Sequence, residues 1–438
     1  MRSIAVLSLA AFALGACSAA NGVRDALPWG ERETILPGER QAITFSTADD
    51  GGTEALLGSV NIPAAVANSD WPQPGGFATN ATGNLAYSGG LNRAWRTSVG
   101  SVGRKGRPPS APPIVYQGVI YTVNADADVS AINAGSGGRV WSASLKPEGE
   151  GRHGATGGGV AASDGRLYVA TGFGTVAALN PGNGQVLWQK DLPAPPRSAP
   201  TSANGKLYVV STDGAIYAMN GADGTELWSY NGIPETAGFL SSGSPAVSGS
   251  RVIVPFTSGE VLAFNTETGE PIWLDALVRS GRFSAVSGIN DVSGRPVVDN
   301  GSVFAISVSG RMVSVNESNG ERIWTRNLGS SHTPIVAGQT VFIVTLENEA
   351  VAIDRATGQT RWVTKLPEDK RRTTYGGPIM AGNRLIIGNN RGDVVALSAA
   401  DGRVIEQRAV GDPILQSPIV AAGRMYVLSN SGNVIAFN

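Results

Sequence analysis

The chain is poor in the residues on which most enzymes and most disulfide-built proteins depend. It has a single cysteine, Cys17, and only two histidines, His153 and His332, in 438 residues. One thiol cannot make an internal disulfide, so no cystine framework holds this fold together. The two histidines stand 179 positions apart and neither sits in a metal-ligand spacing, so a zinc site or a nucleophile–histidine triad has no local signature. Charge of one sign is also lacking: Lys and Arg number 34 against 35 Asp and Glu. That balance gives no global basic field and argues against nucleic acid as a partner. The short basic runs at Arg104, Lys105 and Arg107 and at Lys370 to Arg372 read as solvated loops. Beyond the first residues there is no long apolar run, and no stretch repeats at 3.6 residues, so helices should be few.

The one apolar run is at the start. Arg2 precedes an uncharged 13-residue segment, Ile4 to Ala16, which is the length of a signal-peptide core and too short to span a bilayer. It ends in Leu14-Gly15-Ala16-Cys17, which resembles the bacterial lipobox. The lone cysteine therefore stands where lipidation would make it the first residue of the mature protein, with residues 1–17 as lipoprotein signal. Removing the leader takes one arginine and no acid, leaving 33 basic against 35 acidic side chains, a net of −2. Ser18 follows, rather than the Asp that resembles an inner-membrane retention signal, which points to the outer membrane. Residues 18–90 are rich in Gly, Ala, Pro and Asn without repeat, and are expected to form a tether and a pre-propeller segment.

What is abundant is glycine, 58 residues, and it is ordered. The phrase Ala199-Pro200-Thr201-Ser202, Asn204-Gly205, Lys206 to Val210, Asp213-Gly214, Ala215 to Asn220, Asp223-Gly224, Glu226-Leu227-Trp228 is strand, turn, strand, turn, strand, turn, strand. Its Asn-Gly and Asp-Gly pairs supply the positive φ that tight hairpins need. Further copies start near Pro113, Gly159, Ser244, Arg295, Thr333, Gly377 and Ser417, making eight. The tryptophans Trp95, Trp141, Trp188, Trp228, Trp273, Trp324 and Trp362 are spaced by 46, 47, 40, 45, 51 and 38 residues, the length of a four-stranded propeller blade. From Trp141 to Trp362, each follows a turn glycine by four positions, while the seventh copy has Glu406 four after Gly402. Seven tryptophans at one repeat position read as packing between blades, and the Asp residues at turns as turn formers. The eighth copy stops at Asn438 after three strands, and Leu91 to Thr97 is a stray strand that can complete it. The expected fold is all-β: an eight-bladed β-propeller of four-stranded antiparallel blades over residues 91–438, closed by the N-terminal strand in the last blade.

The Leu-Tyr-Val, Asp-Gly, Ala-Leu-Asn and Thr-Gly-x-x-x-Trp elements resemble the PQQ-type propeller repeat over about residues 113–438. That repeat is shared by quinoprotein dehydrogenases and by noncatalytic lipoproteins, so it specifies fold and not function. Together with the lipobox, Leu36 to Arg40 and Trp71 to Gly76, it is similar to the BamB family of outer-membrane assembly lipoproteins. The resemblance implies a scaffold with no catalytic residues, no cofactor and no metal. It implies a BamA-like barrel subunit as partner, held through its periplasmic domains, with nascent outer-membrane proteins nearby and the membrane reached through the lipid. The matching positions are Phe239 and Leu240 in one connection and Asn290 and Asp291 in the next. Leu240 stands where the family example has Arg, and Ser293 replaces an acid. Length points the same way: the longest step, 51 residues, falls between Trp273 and Trp324, with its excess in Leu274 to Gly294. Two other readings compete: a PQQ-dependent dehydrogenase, which the missing cysteine pair disfavours, and a propeller that binds cell-wall or peptide ligands.

Overall fold

Tight turns between strands of three to seven residues leave the chain few options but antiparallel sheets, and a computed structural model shows eight of them, each four-stranded. The structure describes residues 56–100, 111–150, 157–233, 243–277, 291–368 and 372–438. Among these there is no helix. Blades 1 to 7 comprise residues 114–144, 158–191, 201–231, 246–276, 297–326, 335–365 and 375–409. Blade 8 takes three strands from 419–437, and its fourth is Arg93–Ser98, paired antiparallel with Asn433–Phe437. The ring is closed as its sequence implied, by hydrogen bonds between the two ends of the repeat.

Burial follows strand order within a blade. First strands such as Ala246–Ser248 are buried and contact the first strands of neighbouring blades, so they converge on the axis. Fourth strands such as Val186–Asp191 are mostly exposed and form the rim. Val, Ile, Leu and Ala of the middle strands fill the spaces between blades, for example Ile253, Val261, Val303 and Val313 between blades 4 and 5. Such β-branched residues suit a pleated surface buried on both faces.

The tryptophans join each blade to the next. Trp188 donates its indole N–H to the Gly221 carbonyl at 3.0 Å, and Trp228, Trp273 and Trp324 do the same to Thr266, Glu317 and Arg355 at 3.1, 2.8 and 2.7 Å. Each ring lies on the turn glycine of the following blade. A methyl group on Gly224, at φ +72°, would stand 2.6 Å from Trp188, and one on Gly402 2.6 Å from Trp362. That contact explains Glu406. In blade 8 the third and fourth strands are joined by no turn, because the third is Asn433–Phe437 and the fourth is Arg93–Ser98, from the start of the ring. Blade 7 thus has no turn glycine ahead of it on which a tryptophan could lie.

Residues 56–90, expected only to precede the ring, are part of it. They come in from the rim at blade 6, where the Leu57 amide donates to Thr360, and then circle the axis. Asn68 exchanges hydrogen bonds with Val420 and Ala422 in blade 8; Trp71 pairs with Val115 in blade 1; the Pro72 carbonyl accepts from Ala162 in blade 2. Gln73 bonds both backbone groups of Ser202 in blade 3, Ala78 and Thr79 accept from Val247 and Val298 in blades 4 and 5, and Leu85 pairs with blade 7. In blade 6 Ala81 packs against the core around Val336. A first strand is an edge strand, with backbone groups facing the axis that need partners. This segment supplies them, and buries Trp71, Leu85 and Tyr87 as it does so. The expected tether, in the first part of 18–90, lies outside the described residues.

Candidate partner-binding site

An even number of antiparallel strands returns the chain to the side from which it started. The first-to-second turns of all blades and the third-to-fourth turns of blades 1 to 7 therefore lie at one end of the ring, and the second-to-third turns and the connections to the next blade at the other. The circling segment covers the first end: Asp70 accepts from the Gln117 amide and Pro63 lies against Gly338, both in first turns. The interblade connections, which differ most between copies, occupy the opposite end, and there any specificity has to arise.

Three of the four expected partner-binding residues, Phe239, Leu240 and Asn290, fall at 234–242 and 278–290, outside the described residues, as do Cys17 and His153. The flanks of the two connections are described, and they meet. Gly243, where the first connection enters blade 4, lies against the carbonyls of Val292 and Ser293, where the second enters blade 5, with 3.2 and 3.4 Å to a Cβ built on it. Ile233, at the start of the first connection, is exposed.

Asp291 is not where its expected role requires. The resemblance implies that Asp291 is a partner-binding residue, but the side chain is fully buried and accepts a hydrogen bond from Arg197 Nη2 at 3.0 Å. Arg197 is as deeply buried and comes from the connection between blades 2 and 3. The pair spans blade 4 and ties together the entries of blades 3 and 5, so Asp291 positions this end of the ring instead of offering a charge to solvent. Sequence reasoning missed Arg197 because its partner is 94 positions away, and no local spacing links them.

Two further polar groups sit in the same layer. His332 Nε2 is 3.0 Å from the Tyr375 carbonyl, and burial pushes its pKa down to about 4 against a smaller raising effect of that bond. The ring is therefore neutral near pH 7, donating from Nε2 and linking blade 6 to blade 7. Arg295, just ahead of the first strand of blade 5, is buried, and loss of solvent lowers its pKa to about 10, so it stays charged at neutral pH. Among the described residues no three His, Cys, Asp or Glu gather as a metal site.

Comparison with known proteins agrees with this architecture. A sequence profile for a family described as outer membrane protein assembly factor BamB matches residues 125–364 and 365–438. Among curated relatives, the protein of that description from Shigella dysenteriae is 31% identical over 346 residues, 78% of this chain and 87% of the relative. That from Escherichia coli K12 is 30% identical over the same shares. Among solved structures, BamB from Moraxella catarrhalis superimposes with a TM-score of 0.68 at 18% identity, over 80% of this chain and 100% of that one. A quinohemoprotein alcohol dehydrogenase from Comamonas testosteroni gives 0.66 at 14% identity, over 85% and 81%. Likeness at those identities speaks for the fold alone.

Proposed function

The chain belongs to the BamB family of outer membrane protein assembly factors, and from that premise we propose that it is a noncatalytic, lipid-anchored scaffold of the β-barrel assembly machinery. One observation carries the reading: the family profile runs across 125–438, nearly the whole ring, and relatives bearing that description are covered over 87% of their length. In this reading Cys17 carries the lipid and holds the protein on the periplasmic face of the outer membrane. The ring then presents its interblade connections to the periplasmic domains of a BamA-like subunit. Phe239 and Leu240 are the apolar anchors, with Asn290 beside them. Asp291 acts indirectly, by holding Arg197 and so the layer on which both connections stand. The dehydrogenases share the architecture at 14% identity, which brings no cofactor site with it.

The test is capture of purified BamA periplasmic domains by wild type and by a Phe239→Ala/Leu240→Ala double variant whose melting temperature is unchanged. Truncating a central anchor commonly costs about 2 kcal/mol, near thirtyfold in affinity. A loss of that size supports the surface, whereas undiminished capture removes it. Failure of the wild type itself to copurify with a BamA-like protein from solubilised envelope would remove the scaffold reading.

A further inference from the structure

Each first strand is entered through a residue four positions before the strand's last residue. In six blades this position holds Gly159, Ala199, Ser244, Thr333, Gly377 and Ser417, and in blade 1 it holds Pro112. These positions form a closed layer around the axis at the loop end. A Cβ on Gly159 would be 2.5 Å from the Ala199 Cβ in the next blade, and one on Gly377 would collide with Ser417 Oγ in the next. Blade 5 alone places a long, charged side chain in this layer of small residues: Arg295.

Arg295 is only partly satisfied there. Its amide donates to Thr333 Oγ1 at 3.1 Å, and its Nη1 to the same oxygen at 3.4 Å. Among the described residues, Nε and Nη2 have no hydrogen-bond partner and no carboxylate pairs with the guanidinium. Asp291, four residues before Arg295, is paired with Arg197. Burying a cation without a counter-charge is costly, and a side chain at 4% exposure cannot recover that cost from bulk water. The two unused atoms are also a specific pair. Nε–H and one N–H of Nη2 lie parallel along one edge of the planar guanidinium, the edge that grips two oxygens of a carboxylate or phosphate at once. Two more hydroxyls, of Ser293, two residues before Arg295, and of Ser244, at the same layer position in blade 4, are buried without hydrogen-bond partners among the described residues.

We propose that Arg295 is the receptor for a single small oxyanion, a carboxylate or phosphate group, held side-on by Nε and Nη2 at the loop end of the ring axis. The site is independent of Phe239 and Leu240, so it stands or falls separately from the docking surface.

The probes are sodium acetate and sodium phosphate at pH 7, each against sodium chloride at equal ionic strength, with the melting temperature of the mature chain as readout. Specific binding to the folded state raises that temperature with ligand concentration. The wild type is expected to respond to at least one of the two anions, and Arg295→Met to neither. Arg295→Lys keeps the charge but loses the fork, and should need about tenfold more anion for the same shift. A response to acetate assigns the site to a carboxylate such as a peptide supplies, and a response to phosphate assigns it to a phosphorylated group. No response of the wild type to either anion overturns the proposal, as does an equal response from Arg295→Met. If the Met variant fails to fold, an undiminished response from Arg295→Lys overturns it as well.

Discussion

Arg197 and Asp291 lie 94 residues apart and in the approaches to different blades, yet Arg197 Nη2 is 3.0 Å from Asp291 Oδ1 and neither side chain reaches solvent. The pair bridges blade 4 and ties the entry of blade 3 to the end of the connection, carrying Asn290 and Asp291, that the family resemblance assigns to partner binding.

Removing one member of such a pair leaves the other charge buried. Asp291→Ala or Arg197→Met is expected to cost about 3–5 kcal/mol, read as a fall in denaturation midpoint, with a smaller loss in the double variant. A loss in the double variant equal to the sum of the two single losses would show that the two side chains act separately.

Gly224 and Gly205 share a positive φ, +72° and +73°, but a methyl group on Gly224 meets Trp188 at 2.6 Å and one on Gly205 meets nothing within 4 Å. Gly205→Ala should cost only the backbone strain, about 1–2 kcal/mol. Gly224→Ala adds displacement of the tryptophan and should exceed it by about 1–3 kcal/mol. Chemical denaturation of the two variants decides the matter, and equal midpoints would deny the contact its role between blades.

The circling segment gives a truncation prediction. A chain starting at residue 56 keeps every hydrogen bond from Asn68 to Leu85 described above. One starting at residue 91 exposes the backbone edges of seven first strands. The first should melt like the mature protein and the second well below it. Trp71→Ala, at a site 3% exposed, should lower stability by about 3–5 kcal/mol.

His332 predicts an acid dependence. Its folded pKa of about 4 lies below the unfolded 6.5, so between those values the unfolded chain binds a proton that the folded one refuses. Stability should therefore fall as pH drops from about 6.5 to 4 and rise with pH in the same window. The full shift corresponds to at most about 3 kcal/mol, and water reaching the partly buried ring reduces it. His332→Gln should flatten this limb, as followed by melting temperature from pH 7 to 4.

Two expectations concern anchoring and chemistry. Cys17→Ser should move the protein from membranes to the soluble periplasmic fraction, and sedimentation with membranes in high salt would contradict lipidation. Protein soaked with PQQ and calcium should not retain the quinone through gel filtration. Stoichiometric retention would favour the dehydrogenase reading.

The repeat by itself determined the architecture. Asn-Gly and Asp-Gly turns, strand-length apolar runs and a tryptophan every 38 to 51 residues each act over a few positions, so blade number, strand order and the closing strand at Arg93–Ser98 can be read along the chain. The break at Glu406 could be seen in the sequence but not explained, because its cause is the missing turn in the blade ahead. Residues 56–90 carry no repeat and no strand pattern, and their role depends on backbone edges that exist only after seven separate first strands have been brought around one axis. Asp291 and Arg295 are both loop charges in the sequence, without any signal that one is paired and buried and the other buried with half its donors free. Tertiary structure decided that, because a charge's partner and its access to water are set by which distant loops meet at the end of the ring, and no spacing along the chain encodes a contact between blades 3 and 5.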